Sequence, residues 1–131
     1  MLRYATDMAK IATQTPERVL GTHNTKQTNH RSPDGFLLGW AADEALAAAV
    51  YIFLRHPDDL HQALIEAVNT PGDSDSIATL VGALVGIRTG FKAFEKNGFN
   101  IDALENQDLI ESLAYKTYDC LQKYAQKSIA A

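Results

Sequence analysis

The chain has 131 residues, a length that accommodates one compact domain but not two comfortable ones. Hydrophobic residues make up 46% and charged residues 21%, the proportions of an ordinary globular protein, which excludes an intrinsically disordered chain. A net charge of -4 with scattered Lys and Arg argues against nucleic-acid binding, and no uninterrupted apolar run is long enough to span a membrane.

The N-terminal segment shows helical spacing followed by a long polar stretch. Apolar residues at 2–14 recur every three or four positions, which predicts a short amphipathic helix. Residues 21–35 are polar, lack a regular period and end in the tight-turn sequence Ser-Pro-Asp-Gly. We therefore predict a loop at 21–35.

Two further amphipathic helices are predicted, over 40–55 and from Pro57 to 68. Asp43 and Glu44 lie in the first turn of the former, where negative charge is favourable, and Pro57 suits the first position of the latter. The predicted core positions are Leu46, Ala49 or Val50, and Phe53 in the first of these helices, and Leu60, Leu64 and Val68 in the second.

A central helix is predicted from about Ser76 to Asn97, with Gly98 as its C-terminal cap. Its first part, 77–87, has no polar face, so we expect neighbours on every side. Glycines recur every four residues along one face, and each costs about 1 kcal/mol relative to alanine. We therefore expect another backbone to pass close to them. They are Gly82, Gly86 and Gly90.

A last helix is predicted over 107–126. Its apolar stripe consists of Leu109 or Ile110, Leu113, Thr117, Cys120 or Leu121, and Tyr124. Cys120, the only cysteine, cannot form an internal disulfide, and its place on the stripe predicts a buried structural thiol. Since no signal peptide is recognisable, we expect a cytoplasmic location.

These elements predict an all-α fold, a bundle of about five helices around the glycine-spaced central helix, in a single domain over 1–131. No segment shows the alternation of a β-strand. The amphipathic helices offer limited cover for an apolar central helix. This shortage indicates an oligomer or further sequence that is absent here.

Two carboxylates, Asp73 and Asp75, stand directly before the apolar run of the central helix, in the sequence Gly-Asp-Ser-Asp-Ser at 72–76. A helix N-terminus stabilises one such charge by about 0.3 to 1 kcal/mol, whereas two carboxylates about 5 Å apart repel by about 3 kcal/mol at an effective dielectric of about 20. A partly buried pair therefore needs a proton or a hard cation. Asp and Ser are also favoured N-cap residues, so on these five residues alone, capping by Asp75 or Ser76 is the better-supported alternative.

Other kinds of site fit this sequence less well. A calcium EF-hand needs an oxygen ligand and then a glycine where the chain has Ile77 and Ala78. A phosphate-binding loop needs glycines and a lysine, and the two aspartates would repel the anion. The four histidines are expected in loops or at helix ends and are left out of the site.

Three blocks, GWAADEAL at 39–46, FLRHPDDL at 53–60 and AVNTPGDSDS at 67–76, resemble in order and spacing the ADP-ribosylglycohydrolase family. The segment LENQDLI at 104–110 is similar to that family's closing helix. The resemblance implies an all-α fold with a binuclear Mg²⁺ or Mn²⁺ centre. It also implies hydrolysis of the glycosidic bond of ADP-ribosylated substrates.

The resemblance assigns a partial site. Asp73, Asp75 and the hydroxyl of Ser76 match the family's Gly-Asp-x-Asp-Ser/Thr motif and would be metal ligands, which favours the cation over capping. Oxygen-only ligands suit Mg²⁺ and Mn²⁺. Gly39 and Trp40 would lie near the ADP-ribose pocket, with an aromatic ring available for stacking. No catalytic residue is identified.

The sequence departs from the family pattern in one respect. Complete members begin with a half that carries a Thr-Asp-Asp type triplet, which supplies the other metal ligands, and an acidic residue implicated in catalysis. The adjacent acids Asp58 and Asp59 lack the preceding hydroxyl residue, and we interpret them as helix-start charges. The chain is therefore expected to be a C-terminal portion, or a degenerate short relative, that carries half of a two-metal site and is inactive alone.

Three hypotheses follow for function. The first is a metal-dependent hydrolase of ADP-ribosylated substrates that is incomplete in this chain. The alternative is a non-catalytic, truncated relative that acts as a binding module, with a complementary N-terminal chain or a second copy as partner. The third is that Asp73 and Asp75 only cap a helix.

Overall fold

A computed structural model describes residues 10–25 and 35–129 of the chain. Within these residues the fold consists of α-helices and one short 3-10 turn, without β-strands, which confirms the all-α prediction. The helices are α1 (Pro16–Val19), α2 (Ala42–Arg55), α3 (Leu60–Val68), α4 (Ser74–Thr89), α5 (Lys92–Lys96) and α6 (Gln107–Ile129), with the 3-10 turn at Ile101–Ala103. Most of the predicted first helix and of the loop at 21–35 lies outside the described residues; residues 10–12 are helical.

The chain forms two compact units, Met1–Asn97 and Gly98–Ala131, which we call the first and second unit. The first unit contains α1 to α5, and the second contains the 3-10 turn and α6. A single domain stays a prediction. None of the helices described is both long enough and apolar enough to cross a membrane.

Alanines occupy several core positions of the first unit. Helices α2, α3 and α4 pack on one another, and the fully buried positions of α2 and α3 include Ala48, Ala49, Ala63 and Ala67. The predicted core faces are therefore partly wrong: Leu46 is 52% exposed and Val68 is 55% exposed, whereas Ala49 and Leu60 are buried. Small side chains let helix axes approach closely, and the larger side chains are then displaced to the rim.

Helix α4 is buried along one stripe and not on every side. Ile77, Val81 and Val85 are fully buried, while Ile87 on another face is 86% exposed in the described structure. The expectation of a backbone passing the glycines is also wrong within the described residues. A Cβ built at Gly82 would meet Leu64 Cδ2 at 3.7 Å, and one at Gly86 would meet Phe94 Cε2 at 3.3 Å, so side chains cover this face.

The central helix is shorter than predicted. It ends at Thr89, because the next residue, Gly90, adopts a φ of +81° that a helix does not allow. A separate short helix, α5, follows, and Gly98 with a φ of +78° lies just beyond its Asn97 cap. The predicted stop at Gly98 is thus correct for α5 but not for α4.

The start of α3 is set by Asp59 rather than by Pro57. The Asp59 side chain accepts a hydrogen bond from the Gln62 amide at 3.0 Å, as an N-cap does. Pro57 lies before the helix because residues 57–59 form the turn from α2. The prediction for Asp59 as a helix-start charge is confirmed, and Asp58 instead pairs with Arg88 Nε at 2.9 Å.

A polar cluster ties α2 to α3 and to the N-terminal segment. Glu66 accepts hydrogen bonds from Arg55 Nε at 3.1 Å and pairs with His56 Nε2 at 2.5 Å. The fully buried Tyr51 donates its hydroxyl hydrogen bond to the Gln14 carbonyl at 2.8 Å, and burial raises the pKa of Tyr51. These bonds fix α2, which also carries part of the candidate site.

In the second unit, α6 matches the predicted last helix, but its apolar stripe is exposed. Side chains on the stripe are more than half exposed, and Cys120 is exposed as well. The prediction of a buried thiol is therefore wrong for the described structure. The exposed apolar residues of the stripe are Leu109, Ile110, Leu113, Leu121 and Tyr124.

Candidate functional site

All five residues that the sequence singled out line one open pocket in the first unit, with a volume of about 660 Å³. We call it the Trp40 pocket. Its lining also includes aliphatic side chains and one further hydroxyl. The complete lining is Gly39, Trp40, Ala42, Ala45, Leu46, Asp73, Asp75, Ser76, Thr79 and Leu80.

One wall is the segment that leads into α2. Trp40 lies two residues before the start of α2 and is 37% exposed, so a ligand can reach it. Gly39 has a φ of +84°, and a Cβ there would lie 2.8 Å from Ile77 Cδ1. A side chain at this position would be strained and would press on the buried Ile77, so glycine lets the Trp40 segment lie against α4.

The opposite wall is the start of α4. The helix begins at Ser74 with Asp73 at the N-cap position, but the Asp73 side chain makes no capping hydrogen bond. Asp75 and Ser76 lie inside the first turn, so neither is the N-cap that the alternative interpretation required. The carboxylates are thus placed at the positive end of the helix without being used as caps.

Backbone contacts join the two walls. The Asp73 amide donates a hydrogen bond to the Leu38 carbonyl at 2.7 Å, and Leu38 itself is fully buried. A Cβ at Gly72 would overlap the Leu38 carbonyl oxygen and lie 2.6 Å from the carbonyl carbon. The chain therefore approaches itself here at a distance that only glycine permits.

The two aspartates interact directly. A hydrogen bond with the Asp73 carboxyl, together with the backbone amides of Ser76 and Asp75 itself, lowers the pKa of Asp75. Both the amides and the helix dipole favour a negative charge at this point. The start of α4 therefore favours the charged form of Asp75.

The donors fit part of a hard-cation site. Asp73, Asp75 and Ser76 offer only oxygen atoms, and Mg²⁺ typically binds one or two carboxylates while keeping several waters. In the part of the chain that the structure describes, no three His, Cys, Asp or Glu side chains form a group that could hold a metal ion. A fuller coordination shell would need ligands beyond these three residues.

Sequence reasoning missed the aliphatic part of the pocket. Leu46 was assigned to the core, and Leu80 was one apolar residue in a helix without a polar face. Thr79 also lines the pocket, but its hydroxyl donates to the Asp75 carbonyl at 2.8 Å. No sequence pattern distinguishes such lining residues from core residues, because both are apolar at helical spacing. Among the histidines, His56 pairs with Glu66 and His23 lines a different pocket, so neither belongs to this site.

Comparison with known proteins gives one family and two partial relatives. The sequence model described as ADP-ribosylglycohydrolase matches residues 2–128. An uncharacterized protein of Archaeoglobus fulgidus is 39% identical over 61 residues, which cover 47% of this chain and 19% of that protein. The ADP-ribosylhydrolase ARH3 of Mus musculus is 38% identical over 64 residues, which cover 41% of this chain and 17% of that protein. The matched segment is thus less than a fifth of either relative, and no solved structure matches the chain.

Proposed function

This chain belongs to the ADP-ribosylglycohydrolase family, and on that basis we propose that it takes part in hydrolysis of the glycosidic bond of ADP-ribosylated substrates. We place the ADP-ribose in the Trp40 pocket. The observation that carries this proposal is that Trp40 and the acidic start of α4, which are distant in sequence, line the same cavity. The name of the murine relative, an ADP-ribosylhydrolase, supports the same class of reaction.

The pocket offers different chemistry on its two sides. Trp40 with the aliphatic residues beside it suits a flat base, since aromatic side chains stack on nucleobases with about 1–3 kcal/mol each. The oxygen-rich start of α4 suits the hydroxyls of a ribose. We propose that the adenine lies towards Trp40 and that the ribose to be cleaved lies towards Asp73 and Asp75.

We further propose that Asp73, Asp75 and Ser76 hold Mg²⁺ or Mn²⁺. These three residues would hold the cation, which would supply orientation of the ribose hydroxyls and a lowered pKa of a water molecule for attack at the anomeric carbon. The lowered pKa of Asp75 favours its charged form, and both aspartates line the pocket. Ser76 adds a neutral oxygen one helical position further on.

This chain supplies only part of the proposed site. Its three donors leave coordination positions open, and none of its residues is assigned as the catalytic acid or base. We propose that the remaining ligands come from sequence beyond these residues and that the 131-residue chain is inactive alone. Release of ADP-ribose from a modified protein by the purified chain with Mn²⁺ would contradict this part of the proposal.

A non-catalytic binding module is the second candidate. The exposed apolar stripe of α6 favours it, because contiguous apolar surfaces of this kind mark interaction sites. A complementary N-terminal chain or a second copy would be the partner. Light scattering separates the two candidates, since a monomer that binds ADP-ribose supports the first and a stable oligomer without nucleotide affinity supports the second.

The test of the first candidate uses Trp40, the only tryptophan of the chain, as its own reporter. ADP-ribose added with Mg²⁺ should change the Trp40 fluorescence, and Asp75→Ala should remove the dependence on the cation. Asp58→Ala is the matched control, because Asp58 is an exposed acid that lies outside the pocket and should leave the titration unchanged. Trp40 fluorescence of the wild type that changes with neither the nucleotide nor the cation would contradict the proposal.

A further inference from the structure

We propose that Gly72 is a positioning residue for the Trp40 pocket. Its missing side chain lets the Leu38 carbonyl hold the Asp73 amide, and this contact sets the acidic start of α4 against the Trp40 segment. The inference rests on the proposed function, because it assigns Gly72 a role in placing the donors of that site. Gly72 itself does not line the pocket.

The contact between Gly72 and Leu38 joins two backbone segments, so it cannot be relieved by rotation of a side chain. A Cβ at Gly72 would meet three atoms of Leu38, its carbonyl oxygen, its carbonyl carbon at 2.6 Å and its Cα at 2.8 Å. A flexible side chain could rotate away from such a clash, but a peptide unit cannot move without moving its neighbours. Alanine at position 72 would therefore push the Leu38 carbonyl away and break its hydrogen bond to Asp73.

The Leu38 peptide has little freedom to move away from a methyl group at position 72. Leu38 is fully buried, and the preceding residue, Leu37, donates its amide to the Val19 carbonyl at 2.8 Å. On the other side, Gly39 lies against the side chain of Ile77, and a Cβ built at Gly39 would be 3.4 Å from Asp73 Cβ. The segment is thus held from both ends, and the Trp40 wall follows any displacement at Leu38.

The distance between the two walls of the pocket is therefore set by the contact between Leu38 and Gly72. Trp40 stands two residues after Leu38, and Asp73 stands one residue after Gly72. A methyl group at position 72 would separate the walls without altering a proposed ligand or the stacking ring. Loss of a group that orients metal ligands typically costs about 10- to 100-fold in metal affinity.

The experiment compares Gly72→Ala with Gly82→Ala in the full chain. Gly82 has room for a methyl group and lies outside the pocket, so its variant controls for loss of a glycine. Mn²⁺ is titrated against Trp40 fluorescence, and far-UV circular dichroism reports helix content. We expect Gly72→Ala to keep its helix content, to shift the Trp40 emission to longer wavelength and to weaken Mn²⁺ binding about 10- to 100-fold. Gly82→Ala should match the wild type in emission and binding.

A folded Gly72→Ala protein with wild-type emission and wild-type Mn²⁺ affinity would overturn the inference. If Gly72→Ala does not fold, hydrogen exchange of the wild type takes its place, because the Asp73 amide that donates to the Leu38 carbonyl should be protected. Exchange of that amide at the rate of an unbonded amide would refute the role.

Hydrogen exchange separates this inference from the proposed function. If the wild-type chain binds no Mn²⁺, the proposed metal site fails, but the Asp73 amide still reports on the contact with Leu38. That amide should be protected in the wild type and in Gly82→Ala, and should exchange faster in Gly72→Ala. Equal protection in all three folded proteins would refute the positioning role.

Discussion

Replacing Gly82 by alanine should stabilise the first unit, and replacing Gly86 should stabilise it less or not at all. Both residues lie inside α4, where glycine costs about 1 kcal/mol relative to alanine. At Gly82 a Cβ would meet only Leu64 Cδ2 within 4 Å, at 3.7 Å, so nothing opposes the gain. At Gly86 a Cβ would lie 3.3 and 3.4 Å from two carbons of the Phe94 ring. The Phe94 ring would have to shift, and the cost of that repacking offsets the gain in helix stability.

Thermal unfolding followed by far-UV circular dichroism measures both variants. A gain of about 1 kcal/mol corresponds to an increase of about 4 °C or more in Tm for a unit of this size. Gly86→Ala should melt below Gly82→Ala. A Gly82→Ala protein that melts below the wild type would refute the reasoning, because it would mean that a backbone does approach the glycine face of α4, as the spacing of the glycines predicts.

Three further changes test the contacts that support the site. Glu66→Ala should destabilise the first unit by about 1–3 kcal/mol in urea unfolding, since it leaves the partly buried Arg55 and His56 without their acceptor. Tyr51→Phe should cost about 1 kcal/mol, and because burial raises the pKa of Tyr51, the wild type should lose its advantage over this variant as pH rises from the unfolded-state pKa of about 10 towards the higher folded-state pKa. Asp59→Ala should cost about 1 kcal/mol through loss of the α3 cap, whereas Asp58→Ala, which breaks an exposed pair, should cost little; equal losses would contradict the capping assignment.

The existence of the helices could be predicted from the sequence, but their buried faces could not. Helical periodicity identifies α2, α3, α4 and α6, but their ends are only partly predicted, since Asp59 rather than Pro57 begins α3 and Gly98 follows α5 rather than α4. Large apolar residues such as Leu46 and Val68 dominate a periodic pattern, whereas the buried faces of α2 and α3 in the structure include several alanines. Which face is buried depends on how closely the partner helices approach, and this is not a property of one segment.

The candidate site also has a part that the sequence predicts and a part that it does not. The acidic residues Asp73 and Asp75 and the aromatic Trp40 were found from the sequence with the help of the family resemblance. Their meeting in one pocket depends on the contact between Leu38 and Gly72, which joins residues far apart along the chain. A short glycine-aspartate sequence does not show which distant peptide will pack against its glycine.

The exposure of Cys120 has a practical consequence. It is the only thiol of the chain and belongs to the second unit, while the only indole belongs to the first. A maleimide-linked acceptor on Cys120 would therefore form a single donor–acceptor pair with Trp40, with no engineered cysteine or tryptophan. Energy transfer within that pair would give the separation of the two units in solution, and its change on adding nucleotide would show whether they rearrange.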